Sequence, residues 1–451
     1  MRYILRDLSS LDQMELEEQL NTVIFPEAVS AGCFGDDVDK FIRFKVMSRP
    51  GTPYFCSDTI FGDVLLEKKA GLRVELPVIV KTNSRSRRGG FPSKTFLDAM
   101  FHNEVLFYSK IVPSLRKFDK FDILSAIFPD FVCGRATDGQ NSEEDFIILK
   151  DLRQRDFQPY IARESEKKRG LRDTVLDENY LALISERLGG FHALSMAWRR
   201  GDPADFEEVT AQIKHFDEAE LFRKFCSIEC KEVFKECLFR GVEPLRREPG
   251  YRDRLTDLCA TLENAEARFD ESAAASGPLP VVVHGDIHLG NMMFKYGADG
   301  TLVDVAFFDF GMIKVCSPAI DLCHVLFDNL PLEMKRNHWS RHLHQYYGAL
   351  CRQLGDRRPK PSFDEVDLDI RKKGVHAYYI IAACLPASAM RKKGGSGFPE
   401  QPDPHNLDET ELPEAMKTYR RNIRELGGAA VTEILTEIVR LMIDEEFIFE
   451  R

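Results

Sequence analysis

The sequence predicts an α/β (α+β) chain of two lobes, and three observations predict it. The first 150 residues are β-rich with one prominent helix. The stretch after Arg155 is mostly helical. One short β island inside that helical part gathers the polar residues able to do chemistry. At about 150 residues per domain, 451 residues allow three domains; the element pattern reduces them to two lobes with a helical surplus. The 43% hydrophobic and 30% charged fractions are those of a globular chain able to bury a large core. With Lys+Arg 62 against Asp+Glu 73 the net charge is −11, which disfavours nucleic acid held by bulk charge.

In chain order, Leu8 to Val23 has helical periodicity with an acidic face. Ile60 to Leu66 and Leu72 to Lys81 read as strands around a turn at Glu67 to Gly71. A basic loop, Thr82 to Lys94, leads into a helix over Thr95 to Ile111, which Pro113 is expected to end. Ile123 to Phe131 and Asp145 to Leu149 read as strands. The first lobe therefore spans 1–150, a hinge 151–155 and the helical lobe 156–451. In the second lobe, helices are expected at Tyr180 to Trp198, Asp217 to Phe239, Arg252 to Ser272, from Ala319, and over Leu412 to Phe447. Leu279 to Val283, Asn291 to Lys295 and Val303 to Phe310 form the β island, the last two joined by a hairpin turn at Tyr296 to Gly300. Arg391 to Pro413 reads as a surface loop.

The 11 cysteines include no C-x-x-C pair and read as reduced thiols. Met1 to Phe25 lacks an apolar h-region, so no signal peptide is expected. The apolar run Ala377 to Leu385 is stopped by Pro386, far short of the roughly 20 residues a membrane span needs. The expected location is the cytoplasm.

The chemistry concentrates between Val281 and Asp321. An apolar strand runs into His284-Gly285-Asp286, Asn291 follows Asp286 by five residues, and a hairpin returns the chain to Asp309-Phe310-Gly311. Phosphoryl transfer from ATP needs such parts: one carboxylate to orient and deprotonate the attacking hydroxyl, and a second carboxylate with an amide oxygen to hold Mg²⁺, a hard cation that prefers oxygen. Asp286 is accordingly the expected base, and Asn291 and Asp309 the expected metal ligands, with His284 and Gly285 shaping the loop. Upstream, Lys81 ends the strand Val78-Ile79-Val80, and Glu104 lies on the next helix; such a pair reaches and fixes nucleotide phosphates. Strand lysine, helix glutamate, H-G-D-x-x-x-x-N and D-F-G stand in the order of a protein-kinase-like fold. Lys81 read alone is an ordinary strand-end lysine, and Glu104 read alone is a solvent-facing helix residue. His192, ending an apolar helix, reads as a packed histidine.

Lys81, Glu104 with Tyr108 and Pro113, Ile148-Leu149-Lys150-Asp151-Leu152, the His284–Asn291 loop and Asp309-Phe310 together resemble the CHK kinase-like proteins, the ecdysteroid 22-kinase-like family among them. These are similar in turn to choline kinases and aminoglycoside phosphotransferases. The resemblance covers about residues 50 to 330. It implies an ATP- and Mg²⁺-dependent kinase that phosphorylates an alcohol hydroxyl on an ecdysteroid-like, choline-like or xenobiotic small molecule. It also implies that the backbone of Leu149 to Asp151 docks the adenine edge and that Asp321 anchors the catalytic loop without reacting. The sequence departs from that family at Ile287-His288-Leu289-Gly290, where a Trp and a doubled Asn are usual, at Gly311, where Gln is usual, and at Lys150, where Glu is usual.

Several residues carry alternatives. Asp286 with His284 and His288 resembles the first motif of a metallophosphoesterase, but the later G-D-x-x-D-R-G and G-N-H blocks are missing. A kinase-like binding module without activity is a further reading, and a protein-hydroxyl kinase is disfavoured by the missing H-R-D arginine. His288 is expected to face solvent or substrate. Asp151 is read either at the adenine edge or as a cap. Ser57 and Asp58 are expected in a loop that replaces a glycine-rich phosphate loop, Arg85, Arg87 and Arg88 in a solvated loop, and the segment Tyr378 to Met390 near the acceptor.

Overall fold

The computed structural model describes residues 10–47, 57–83, 94–160, 176–215, 231–265, 279–329, 332–357, 359–392 and 411–449. Helix α1 (Ser10–Gln19) continues through a widened turn, Leu20–Ile24, into α2 (Phe25–Ser30). It runs past the expected end at Val23 because Leu16, Leu20, Ile24, Phe25 and Ala28 keep one face buried. That face packs on a sheet through Phe44, Val64, Val78, Val80 and Ile148. Strand β1 (Val38–Val46) is an addition to the expected elements. Its edge is protected by Asn21, whose side-chain oxygen accepts from Phe44 N–H at 2.7 Å and whose amide donates to Phe44 O at 3.1 Å.

Strands β2 (Ser57–Lys68) and β3 (Arg73–Asn83) form the expected hairpin and extend it at both ends. Ser57 and Asp58 thus pair with Asn83 and Thr82 inside the sheet and do not lie in a preceding loop. Gly62 lies opposite β1, where a Cβ would come within 2.3 Å of the Phe44 ring.

Helix α3 (Lys94–Leu106) does not stop at Pro113. A widened turn, Phe107–Ile111, makes room for the proline ring, and α4 (Val112–Arg116) continues the helix. Ile123–Ile127 is a short helix, α5, and not the expected strand: Asp119 accepts from Leu124 N–H at 2.8 Å and holds its first turn. The strand comes later, as β4 (Phe131–Arg135), followed by β5 (Phe146–Lys150). The sheet order is β1-β2-β3-β5-β4, antiparallel throughout.

Strand β6 (Phe157–Gln158) leads toward the helical lobe. Helix α6 (Glu178–Gly201) begins at Asp177, whose carboxylate accepts from Asn179 and Tyr180 N–H. Helices α7 (Pro203–Thr210), α8 (Lys231–Phe239) and α9 (Thr256–Glu263) follow. Much of the expected helix at Asp217 and the end of that at Ser272 lie outside the described residues. The β island is present: β7 (Val281–Val283) pairs with β10 (Lys314–Cys316), and β8 (Met292–Tyr296) with β9 (Leu302–Phe307) and β6. Strand β9 ends before Phe310 because Asp309 turns the backbone to φ +70°.

Helices α10 (Ala319–Asn329), α11 (Leu332–Leu354), α12 (Phe363–Lys373) and α13 (Val375–Lys392) complete the core with α14 (Glu411–Glu425) and α15 (Gly428–Asp444). Helix α11 crosses α6 closely: a Cβ on Gly189 would lie 2.3 Å from Tyr346 O. Helix α13 passes through Pro386, which stops only the apolar run. The expected final helix is two, separated where Gly427 and Gly428 take φ +77° and +73°. Among the described residues no helix is long and apolar enough to cross a membrane. A β-sheet lobe followed by a helical lobe carrying the loop His284–Asn291 is the two-lobed protein-kinase-like architecture expected.

Candidate active site

On β3, Val78 and Val80 face the helices α1 and α2, so the pleat turns Lys81 to the opposite face. There it meets α3. The Lys81 ammonium donates to Glu104 Oε2 and, at 2.8 Å, to Asp309 Oδ1. The sheet, the helix and the end of the β8–β9 hairpin therefore converge on one cation. Burial alone pulls the Lys81 ammonium down, but the carboxylates of Asp309 and Glu104 outweigh it and hold it above the ordinary lysine value. Burial pushes the Glu104 carboxyl up to about 7; Lys81 opposes the rise and Asp309 adds to it. Burial also acts to raise Asp309, but the Lys81 charge and hydrogen bond prevail and hold it below the ordinary range.

The position of Asp309 is secured by its neighbour. Phe310 is fully buried, stacks on Phe107 at 3.7 Å and meets Phe128 edge-on at 5.0 Å. Gly311 follows against α3: a Cβ there would lie 2.9 Å from Met100 Cε, and Asn103 donates to Gly311 O at 3.2 Å. Glycine at this position lets α3, and Glu104 with it, approach the end of the hairpin.

The loop after β7 is held by Asp321 at the start of α10. Its carboxylate accepts from His284 N–H at 2.7 Å and from Gly285 N–H at 3.0 Å. It also lies 3.2 Å from His192 Nε2, while His192 Nδ1 lies 2.9 Å from the Tyr346 hydroxyl. Burial acts to raise the Asp321 carboxyl, but the His192 hydrogen bond leads the groups that hold it below its ordinary value. Gly285 has φ +81°, and a Cβ there would fall 2.1 Å from Met312 O, so glycine is required.

The His284 ring receives Asp286 N–H on Nδ1 at 3.3 Å, which leaves Nε2 to donate to Phe308 O at 2.9 Å. Asn291 donates its amide to Asp286 O at 2.9 Å, and Phe308 N–H donates to Asn291 O at 3.2 Å. These bonds tie Asp286, Asn291 and the residue before Asp309 to one another. The Asp286 side chain is left 41% exposed, accessible to a substrate.

The family model described as the ecdysteroid kinase-like family matches residues 55–357. The chain belongs to that family. The matched region carries Lys81, Glu104, the His284–Asn291 loop and Asp309 together. Among solved structures, one described as "Structure of the microcompartment-associated aminopropanol kinase" aligns over 90% of this chain and 96% of that chain, with 10% identity and a TM-score of 0.36. A comparison with curated proteins found no match.

In this ecdysteroid kinase-like chain the remaining expected residues divide. Leu149 is buried, with β3 on one side at Ile79 and β4 on the other at Phe131. Asp151 acts as a cap: its carboxylate accepts from Arg153 N–H at 3.0 Å and pairs with the Arg153 guanidinium, and its own N–H donates to Pro77 O at 3.2 Å. Its side chain is thus occupied locally. Lys150 lies 3.3 Å from the Asp130 carboxylate. Arg85, Arg87 and Arg88 lie outside the described residues. Tyr378 and Tyr379 are core residues, and the Tyr378 hydroxyl donates to Leu238 O at 2.6 Å, so this part of the expected acceptor segment is packing.

Residue reading overlooked Asn103, Tyr346 and Gly189, which act through contacts distant in sequence. His192 is packed as expected, and it also holds Asp321. The oxygens open to a hard cation are Asp309 Oδ2 and Asn291 Oδ1, neither of which accepts a hydrogen bond among the described residues. No group of three His, Cys, Asp or Glu side chains suited to a metal occurs among the described residues. A two-oxygen set matches Mg²⁺, which takes few protein ligands and completes its shell with water and substrate phosphates.

Proposed function

We propose that the protein transfers the γ-phosphoryl group of ATP to a hydroxyl of a small alcohol, with Mg²⁺. The observation that carries this reading is the convergence of Lys81, Glu104 and Asp309 beside a pinned loop that presents Asp286 five residues before Asn291. Family membership supports kinase chemistry. In this reading residues 1–150 form the nucleotide-covering lobe, 151–155 the hinge and 156–451 the lobe that holds the acceptor. The adenine edge docks on backbone of the segment from Leu149 past Asp151. The expected cytoplasmic setting is in keeping with free thiols at all the described cysteines.

Each residue has a defined task. Lys81, oriented by Glu104, holds nucleotide phosphate oxygens. Mg²⁺ at Asp309 and Asn291 would supply positive charge to the β- and γ-phosphates. Asp286 accepts a hydrogen bond from the acceptor hydroxyl and takes its proton. The hydroxyl oxygen bonds to the γ-phosphorus as the bond from that phosphorus to the bridging oxygen of ADP breaks, and ADP leaves. Asp321 keeps the loop backbone in place throughout and does not react.

The test is incubation of wild type and Asp286→Ala with ATP labelled in the γ-phosphate, over a panel of steroids, amino alcohols and aminoglycosides. Label on an organic acceptor with wild type only supports the reading. Nucleotide binding with no transfer to any member would favour a kinase-like binding module instead.

A further inference from the structure

His288 has no task in the scheme above, yet its side chain lies beside the Asp286 carboxylate. Among the described residues no donor lies within hydrogen-bonding distance of that carboxylate. His288 Nε2 lies 3.7 Å from Oδ2. Both side chains are exposed by about two-fifths, 43% and 41%. A surface histidine two residues from an aspartate would ordinarily be free to swing away.

This histidine is fixed. Its Nδ1 accepts Gly290 N–H at 3.0 Å, capping the single turn Leu289–Asn291. The ring also lies directly over Gly290: a Cβ there would fall 2.7 Å from His288 Cε1 and 2.9 Å from Nδ1. Only glycine at 290 admits the ring in this place. An imidazole whose Nδ1 accepts carries its proton on Nε2 when neutral. The cap therefore sets the tautomer, and the tautomer presents an N–H to the carboxylate. The 3.7 Å separation is longer than a hydrogen bond, as contacts of catalytic groups often are before substrate binds.

Resting on the phosphotransfer reading, we propose that His288 is a positioning residue for Asp286. Its Nε2–H holds Oδ2, so that Oδ1 is the oxygen presented to the acceptor hydroxyl. A carboxylate with no other side-chain restraint rotates about its terminal bond, and a small misplacement of a base lowers the rate without changing nucleotide binding. The role is distinct from holding up the loop, which the Nδ1 cap would do alone.

Two variants separate these roles. His288→Asn retains an acceptor for Gly290 N–H, because an asparagine oxygen bonds the N–H two residues on, but it has no donor reaching Asp286. His288→Gln loses that short cap but extends an amide N–H toward the carboxylate. We expect His288→Asn to lower kcat about tenfold with KM for ATP and Tm unchanged, and His288→Gln to retain more kcat than His288→Asn despite a lower Tm. Wild-type kcat in His288→Asn, or loss of kcat that follows Tm across the two variants, would overturn the proposal. Asp286→Ala run alongside distinguishes the two levels. An inactive Asp286→Ala beside a fully active His288→Asn defeats only the role of His288, whereas an active Asp286→Ala defeats the phosphotransfer assignment itself.

Discussion

The two halves of the site are built by different means. Lys81 and Glu104 are buried and are held by charge, two carboxylates around one ammonium in a place water hardly reaches. Asp286 is open to solvent, and its loop is held through backbone groups, two of whose N–H bonds end on the Asp321 carboxylate behind the loop. A buried charge is secured only by its partners, and removing one leaves the others uncompensated. An exposed base needs a rigid backbone and can then be removed at small structural cost. The buried half, proposed to hold nucleotide, should therefore couple chemistry to stability, and the open half, proposed to face the acceptor, should separate them.

The strongest test of that contrast is Asp286→Ala. It should lower kcat by about 10²–10⁴ while shifting unfolding free energy by less than about 0.5 kcal/mol. A large loss of stability would erase the distinction between the halves. Next comes Asp321→Asn, which puts an amide donor against backbone N–H groups that now meet a carboxylate. It should cost about 2 kcal/mol in urea unfolding and lower transfer as well. An unchanged urea midpoint would remove Asp321 as the anchor.

Glu104→Gln tests the buried half through its pH dependence. Burial raises Glu104 from an ordinary 4.5 to about 7. The folded chain thus keeps a proton that the unfolded chain loses near pH 4.5. The stability this provides is complete below about pH 4.5 and is lost as pH rises to about 7. Replacement by Gln should flatten that part of the stability–pH curve, measured by urea midpoints across the interval. An identical slope in the variant would show that Glu104 does not titrate there.

The site was more legible in the sequence than the elements around it. The order Lys81, Glu104, Asp286, Asn291, Asp309 is readable because the residue types and their spacing are distinctive; the fold brings Lys81, Glu104 and Asp309 together and ties the loop of Asp286 and Asn291 to the residue before Asp309. Strand β1 was hidden because two register shifts, near Val38 to Lys40 and Phe41 to Arg43, break the alternation a strand reader looks for. Pro113 misled in the opposite sense. It lies within a helical run that continues after a widened turn. The break between α14 and α15 depends on two glycines at positive φ, whose conformation the apolar pattern on either side does not reveal. At the hinge, the cap reading of Asp151 is the one the structure bears out, since its carboxylate accepts from Arg153 N–H. The role of His288 depends on a ring lying over Gly290, a contact that neither residue alone announces.

In the proposed mechanism Asp309 serves the nucleotide and Asp286 the acceptor. Calorimetric titration of ATP with and without Mg²⁺ into wild type, Asp309→Ala and Asp286→Ala tests it most directly. Mg²⁺-dependent ATP binding is expected in wild type and in Asp286→Ala, with that dependence lost in Asp309→Ala. Binding by Asp309→Ala that still depends on Mg²⁺ as in wild type would contradict it.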